Sequence, residues 1–359
     1  MAYEVDYLPV GGGEKSGDAI AIRYGNLSGS RNEQTVIVID GGTLDSGQRL
    51  VEHIEEHYDT DVVDLLVSTH PDKDHISGAR VVIEDLHVKR LWMHQPWNHA
   101  GQIRDAFADG RITNDSLSKR LQDEMAMAYE LEEMALLRDI PIFEPFSDSN
   151  IHRQFAGLWV LGPSTDFYRR LLPQFDKTPL AKSASETFFG RMAEAIKSVA
   201  ETRNIETLAE PTETRAENDS SAILLLHVDG RRLLFTGDAG VPALEEAAHM
   251  AEYNGVNLQS CVFQQVPHHG SRRNVGPSIL NRIVGPIGGT SNPKSVIVSA
   301  STGGAPKHPA RKVTNAYLRR GANVVATQGQ IIRHHSPDCP LRPGWGPVAP
   351  VPFYPEVDE

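Results

Sequence analysis

Cysteine is nearly absent from this 359-residue chain: Cys261 and Cys339 are the only two. Two thiols without metal-site spacing make neither a disulfide framework nor a thiolate cluster, which fits a reducing compartment. Long apolar runs are lacking as well. No stretch approaches the roughly 18 apolar residues of a membrane span, and the opening Met-Ala-Tyr-Glu-Val-Asp is not a secretory leader. A cytoplasmic protein without membrane contact is therefore expected. Excess positive charge is missing too. Lys and Arg number 35 against 47 Asp and Glu, a net charge of −12, the reverse of the basic footprint of a non-specific nucleic-acid binder. A polyanionic substrate would need a local cationic patch or a bound metal. The remaining composition is that of a globular protein, long enough for one large domain or two smaller ones.

What the chain does have is histidine and carboxylate gathered where strand-like segments end. The densest group is Ser68-Thr69-His70-Pro71-Asp72-Lys73-Asp74-His75, directly after the apolar run Val62 to Val67. Imidazole and carboxylate are the side chains that hold borderline to hard divalent cations. A metal site is one reading, and a polar loop with chance histidines, among 15 in the chain, is the other.

The pattern recurs along the chain. Val5 to Val10, Ala19 to Tyr24 and Thr35 to Ile39 read as a strand meander separated by glycine turns. Gly11-Gly12-Gly13 before Lys15-Ser16 is a poor phosphate loop, because Glu14 stands where that motif needs glycine and a strand follows. Asp40-Gly41-Gly42 is either a turn or a carboxylate that orients a ligand from behind. Residues 46 to 58 and Ile76 to Ile83 read as helices, the second packing closely through Gly78 and Ala79. His94, just past a strand at Lys89 to Met93, is a further contact or a surface histidine. Residues 115 to 138 carry an apolar stripe at helical spacing and predict one amphipathic helix. Residues 95 to 150 and 164 to 217 form two insertions, the second polar, with helical pieces around Glu186 to Arg203.

Beyond Asn218 a hairpin, Ala222 to Leu226 and Leu233 to Phe235, runs into Thr236-Gly237-Asp238, and Pro242 opens a helix. The strand Cys261 to Val266 ends in Pro267-His268-His269-Gly270-Ser271. Ser295 to Ser299 gives a strand followed by His308-Pro309, Arg311 to Arg320 a helix, and Asn323 to Thr327 with Gln330 to Arg333 a hairpin. Residues 336 to 359 read as an extended proline-aromatic tail that lies across the body or binds a partner protein.

Taken in order, these pieces resemble the metallo-β-lactamase fold superfamily, and more closely the C-terminal hydrolase domain of the ComEC/Rec2 DNA-uptake proteins. The shared features are Gly17-Asp18-Ala19, Asp40-Gly41-Gly42, His70-x-Asp72-x-Asp74-His75, Asn218/Ser221, Thr236-Gly237-Asp238, His268-His269-Gly270-Ser271 and the His308-Pro309 loop leading to Gly329. The resemblance implies an α/β fold, a four-layer αββα sandwich with helical insertions spanning residues 1–335, and a two-metal hydrolytic centre. It places one divalent ion on His70, Asp72 and Asp238, and another on Asp74, His75, Asp238 and one of His268 or His269. Strand alternation lets only one of that histidine pair point inward. With Asp72 in place of an imidazole the first site is oxygen-rich, so manganese or magnesium competes with zinc.

Two ions roughly 3.5–4 Å apart lower the pKa of a shared hydroxide and neutralise phosphoryl oxygens. The expected activity is thus that of a phosphodiesterase or nuclease acting on nucleotide or nucleic acid, with Asp74, His269 and His308 as catalytic residues. His308 would donate a proton to the leaving oxygen or hold a phosphate oxygen; alternatively it fixes the loop before proline. Arg272-Arg273 and Arg319-Arg320 offer a local phosphate path. A second reading is an accessory or signalling component that binds nucleotide or a partner with little turnover.

Overall fold

In the computed structural model the described residues are all of the chain except Glu14, Ala108, Gly110, 177–197, Thr212, 290–293, 305–307 and Glu359. Two β-sheets face each other. The first has seven strands in the order Ile332–His335, Ala2–Tyr7, Ala19–Gly25, Gln34–Gly41, Leu65–Val67, Leu91–Trp92 and Ile142–Phe143. The second has six, ordered Asn323–Ala326, Ser295–Val298, Phe263–Gln265, Arg231–Phe235, Ile223–Val228 and Leu158–Gly162. Alternation decides what fills the space between them. Ile37 and Ile39 turn towards the other sheet while Val36 and Val38 turn towards helices, and both sets are buried. Phe263 packs at the centre of the inter-sheet layer, its ring 6.0 Å from Tyr7 and 5.4 Å from Phe235.

The outer faces are covered by helices. Leu44–Tyr58 and Lys73–Asp85 lie on the first sheet, burying Leu50, Val51, Ile54, Ile76, Val82 and Ile83. Val241–Tyr253, Pro277–Ile283 and Arg311–Arg319 lie on the second. This is the expected four-layer αββα sandwich. Its helix Lys73–Asp85 approaches the sheet at Gly78, where an added Cβ would stand 2.0 Å from the carbonyl oxygen of Gly41, so any larger residue would push the helix outward. Among the described residues no helix is long and apolar enough to cross a membrane.

Several expectations need correction. Residues 115 to 138 form two helices, Asn114–Glu124 and Ala126–Leu137, because Met125 leaves helical geometry (φ −110°, ψ 41°) to bury its side chain. Ile332–His335 does not pair with Asn323–Ala326; it crosses to the first sheet and pairs antiparallel with Ala2–Tyr7. Arg333 explains the switch, since its guanidinium meets the buried carboxylate of Glu4 at 2.6 Å. Of the helical pieces expected around Glu186 to Arg203, residues 186–197 lie outside the described residues, and Ser198–Ala200 is a strand paired with Glu356–Asp358. Arg319 and Arg320 are no phosphate path: both side chains are fully buried, on Glu201 and Glu206.

The tail runs across the body. Arg342 bridges Glu4 and Asp6 at 2.9 Å each, Trp345 meets the His57 ring edge-on at 5.4 Å, and Val351 donates its backbone N–H to Val324. His94 is neither a surface residue nor near the histidine cluster. It is buried and stacked on Tyr168, with ring centroids 4.5 Å apart.

Burial pushes the His94 pKa down to about 3, and nearby His99 adds to the shift. The folded chain therefore refuses a proton that the unfolded chain accepts below about 6.5, so stability falls as the medium is acidified through that window. His94→Phe should remove this dependence. In urea denaturation between about pH 7 and pH 5, the parent should lose about 2 kcal/mol more than the variant; equal slopes would show that His94 does not titrate in this way.

Candidate metal centre

The parallel strands of both sheets set out their chemistry at their carboxyl ends. Ile37 to Ile39 pair with Leu65 to Val67 in the first sheet, and Leu233 and Leu234 with Phe263 and Gln264 in the second. In such sheets the crevice beyond the strand ends is where backbone and side chains are free to converge on a ligand. Asp40 lies at the first such end, His70 just past the second, and Asp238 and the His268-His269 pair past the two central strands of the other sheet.

They converge on Asp238, which is 2% exposed. Its Oδ1 lies 3.4 Å from His75 Nε2 and 3.5 Å from His269 Nε2. Its Oδ2 lies 3.7 Å from both His70 Nε2 and His268 Nε2. Both paired histidines thus face inward, contrary to the argument from strand alternation. They sit beyond the strand in a turn, both in the left-handed region (φ 46° and 54°), and this costly backbone swings both rings to one carboxylate.

Neighbours orient the rings. Asp40, itself left-handed at φ 54°, accepts from the Thr69 backbone N–H and hydroxyl at 2.8 and 2.6 Å. Having spent its proton on Asp40, the Thr69 hydroxyl accepts from His70 Nδ1 at 3.0 Å. His75 Nδ1 donates to Asp40 at 2.8 Å. Asn274 donates its amide to the Asp238 backbone carbonyl at 2.7 Å, and His268 Nδ1 lies between the Asn274 Oδ1 at 2.9 Å and the Asn218 Nδ2 at 2.6 Å, which fix the ring's orientation. These contacts turn the Nε2 atoms of His70, His75 and His268 towards Asp238, and Nε2 is the nitrogen through which each ring would ligate a cation in place of a proton.

The unmet atoms agree with this. His70 Nε2, His75 Nε2, His269 Nε2 and Asp238 Oδ1 are buried without a hydrogen-bond partner, and four such atoms turned towards one another are what a cation would satisfy together. Donor atoms of Asp74, His75 and His269 lie within 4.8 Å of one another, as do those of Asp18, Asp238 and His269. These groups, with the donor atoms of Asp40, His70 and His75, fit a divalent cation among the described residues. Around Asp238, His70 and His268 face Oδ2 with Asp72 beyond His70, and His75 and His269 face Oδ1 with Asp74 beside them. Asp72 is the outlying member, 3.9 Å from His70 Nε2 and ion-paired to Arg215 at 3.2 Å. His308 is stacked against His268 with centroids 5.7 Å apart, on the outer side of the group.

Electrostatics follow from burial against charge. Burial raises the Asp238 pKa, but His268, His75 and His269 outweigh it and hold the carboxyl well below its usual range. Burial pushes His70 down, helped by His75, and pushes His269 far down despite Asp238. Burial thus favours the neutral, ligating form of these two, whereas at His75 Asp238 and Asp40 outweigh burial and hold the pKa well above the usual imidazole range.

Asp18 was passed over as a site residue. It is 1% exposed, accepts from Gln265 at 2.7 Å, and lies 3.8 Å from His75 Nδ1 and 4.0 Å from His269 Nδ1. Burial, with Asp238 and Asp40 adding to it, lifts its pKa to about 8. The preceding Gly17 lets this turn approach the helix carrying Asp74, since a Cβ there would lie 2.1 Å from the Asp74 carbonyl oxygen. The only hint in the sequence was Asp18's place in the Gly17-Asp18-Ala19 turn. Asn274 and Thr69 gave none, being ordinary polar residues whose role depends on what folds against them.

No protein-family model and no curated protein sequence matches the chain. Among solved structures it is similar to YhfI, a metallo-β-lactamase fold protein from Bacillus subtilis, at 8% identity over 94% of this chain and 100% of that chain, TM-score 0.35. It is similar to unliganded yeast PDE1 at 12% identity over 92% and 99% of the two chains, TM-score 0.41. MEM-A1, a subclass B3 metallo-β-lactamase from a soil metagenome library, is similar at 14% identity over 78% and 83%, TM-score 0.28. At these identities the likeness concerns the fold.

Removing the shared carboxylate should empty both donor sets. Metal analysis of Asp238→Ala after manganese or zinc loading should show almost no bound ion beside a loaded parent. Thr69→Val, which leaves every ligand in place but frees His70 and Asp40, should weaken metal binding by about 10- to 100-fold in a chelator competition. Undiminished occupancy in Asp238→Ala would refute the assignment of Asp238 as the common ligand.

Proposed function

We propose that the chain is a metal-dependent hydrolase of phosphodiesters that works with two divalent ions. The observation that carries this reading is the division of Asp238, one oxygen facing His70 and His268 and the other His75 and His269. His70, Asp72, His268 and Asp238 would hold one ion; Asp74, His75, His269 and Asp238 the other. With His268 included, each set offers two nitrogens and two oxygens, so the first site is less oxygen-rich than the sequence implied and zinc stands beside manganese. When bound, such a pair supplies water activation near neutral pH and charge neutralisation for a phosphoryl group.

The chain's own residues do the rest. Asp40, Thr69 and Asn274 orient the imidazole rings, and Asp18 with Gln265 backs the inner side. His308, outside the ligand group and stacked on His268, would donate a proton to the leaving oxygen. The motif-by-motif resemblance to the ComEC/Rec2 hydrolase domain supports the phosphodiester class. The alternative of an accessory component binding a partner through its tail has less support, because Arg342, Trp345, Val351 and Tyr354 are engaged within the fold.

Manganese- or zinc-loaded protein should hydrolyse 4-nitrophenyl phosphodiesters and lose that activity with chelator. A lactone or thioester turned over while every phosphodiester stays inert would overturn the proposal. His308→Ala should slow a dinucleotide, whose alkoxide leaving group needs a proton, about 100-fold. The same change should scarcely affect a 4-nitrophenyl ester, whose leaving group does not.

A further inference from the structure

Beside the metal centre lies a cleft of about 520 Å³. Its near wall is the Asp72 to Asp74 loop with Arg215, and its far wall is the break between the helices Asn114–Glu124 and Ala126–Leu137. The two ends differ in charge. At the metal end stand Lys73 and Arg215, the cations among the described lining residues, with Asp72, Asp74 and Glu217, the last paired to Arg215 at 3.6 Å; at the far end stand the exposed carboxylates of Asp123 and Glu124, with Met125, Met127 and Phe175 giving an apolar floor. The volume is that of a small-molecule site. With metal ions offsetting Asp72 and Asp74, and Glu217 paired to Arg215, the charge order suits a molecule with its anion at the metal end and nothing anionic beyond it.

We propose that this cleft holds the retained substituent of the substrate, and that the substituent is an uncharged group of nucleoside size. The inference rests on the phosphodiesterase reading and narrows it: small phosphodiesters with a single phosphate are taken, and polynucleotides are rejected. A chain continuing through the cleft would set its next phosphate against Asp123 and Glu124. At a few ångströms, in the dielectric of a surface cleft, two carboxylates repel that phosphate by about one to two powers of ten in binding. The metals offset Asp72 and Asp74 but lie at the other end. Asp123 is only partly compensated, by Lys119 at 3.0 Å on the exposed face of its helix.

The test compares thymidine 5′-(4-nitrophenyl phosphate) with the same ester carrying a 3′-phosphate. In both, the oxygen of water joins phosphorus, the bond to 4-nitrophenolate breaks and the water proton passes to solvent, so only the distant charge differs. The parent should favour the ester without the 3′-phosphate by about tenfold or more in kcat/KM, less at high salt. Calorimetry of thymidine 5′-monophosphate against thymidine 3′,5′-bisphosphate, with metal loaded, should show the same order.

Asp123→Lys with Glu124→Lys, both outside the metal centre, should bring the ratio near one. Asp123→Asn with Glu124→Gln should give an intermediate ratio and serves if the lysine pair does not fold. Equal use of both esters by the parent, or an unchanged ratio in the folded variants, would overturn the assignment of the cleft while leaving the phosphodiesterase reading standing. Failure to hydrolyse either ester would overturn both.

Discussion

A carboxylate taken out of water and surrounded by four imidazole nitrogens is the constraint to which the rest of the molecule conforms. Burying Asp238 alone costs several kcal/mol unless opposite charge compensates; Asp238 and Asp40 lift the His75 pKa well above its usual range, while burial lowers those of His70 and His269. A cation held among these donor atoms would supply the same compensation. The fold supplies the aim from both sheets, His70 and His75 from one and Asp238, His268 and His269 from the other. The centre therefore depends on how closely the layers approach. Gly78 against Gly41 and Gly17 against Asp74 are where that approach leaves no room for a side chain.

A second buried charge cluster performs the corresponding task on the first sheet. Glu4 and Asp6 on one strand are fully buried. Arg23, Arg333 and Arg342 meet Glu4, while Arg342 and the Tyr58 hydroxyl meet Asp6. These arginines come from three segments, so one set of carboxylates fixes the sheet's edge strand and holds the tail down. Breaking such a group leaves a buried charge exposed to no partner, the costly direction for any ion pair. The tail is thereby part of the domain's stability, and its proline-aromatic composition reflects packing on His53, His57 and Asn315.

What could be read from the sequence followed from local pattern. The strands before His70, Asp238 and His268 and the helices over 46 to 58 and after Pro242 were legible, because apolar periodicity, turn residues and caps act within a few positions. The polar residues at the strand ends were legible as a group for the same reason. What could not be read depended on distant partners. Ile332–His335 carries the same strand signal whichever sheet it joins, and only Glu4 decides. Met125 interrupts a run with continuous helical spacing, because its side chain has a core to enter. Both His268 and His269 face the centre through left-handed backbone, a conformation uncommon for any residue but glycine, even though histidine, like asparagine and aspartate, visits it more than most. Asp18, Thr69 and Asn274 acquire their roles only from the imidazoles that fold against them.

The net charge of −12, which first argued against a nucleic-acid surface, acquires a more specific meaning from the geometry. Asp72, Asp74 and Asp238, a large share of the carboxylate near the centre, are among the candidate metal donors. Farther out, across the cleft, Asp123 is partly compensated by Lys119 and Glu124 is exposed. On the proposed reading the local field would change sign over the length of the cleft, positive where a phosphoryl group would react and negative where a polymer would continue. Arg215 marks the boundary: one guanidinium shared by Asp72, Asp176 and Glu217 keeps the acidic walls from merging with the centre. A uniformly acidic surface would exclude every phosphate, whereas on the proposed reading this distribution would admit one and exclude its neighbour. Charge balance taken residue by residue thus reconciles an acidic protein with the anionic substrate proposed for its centre.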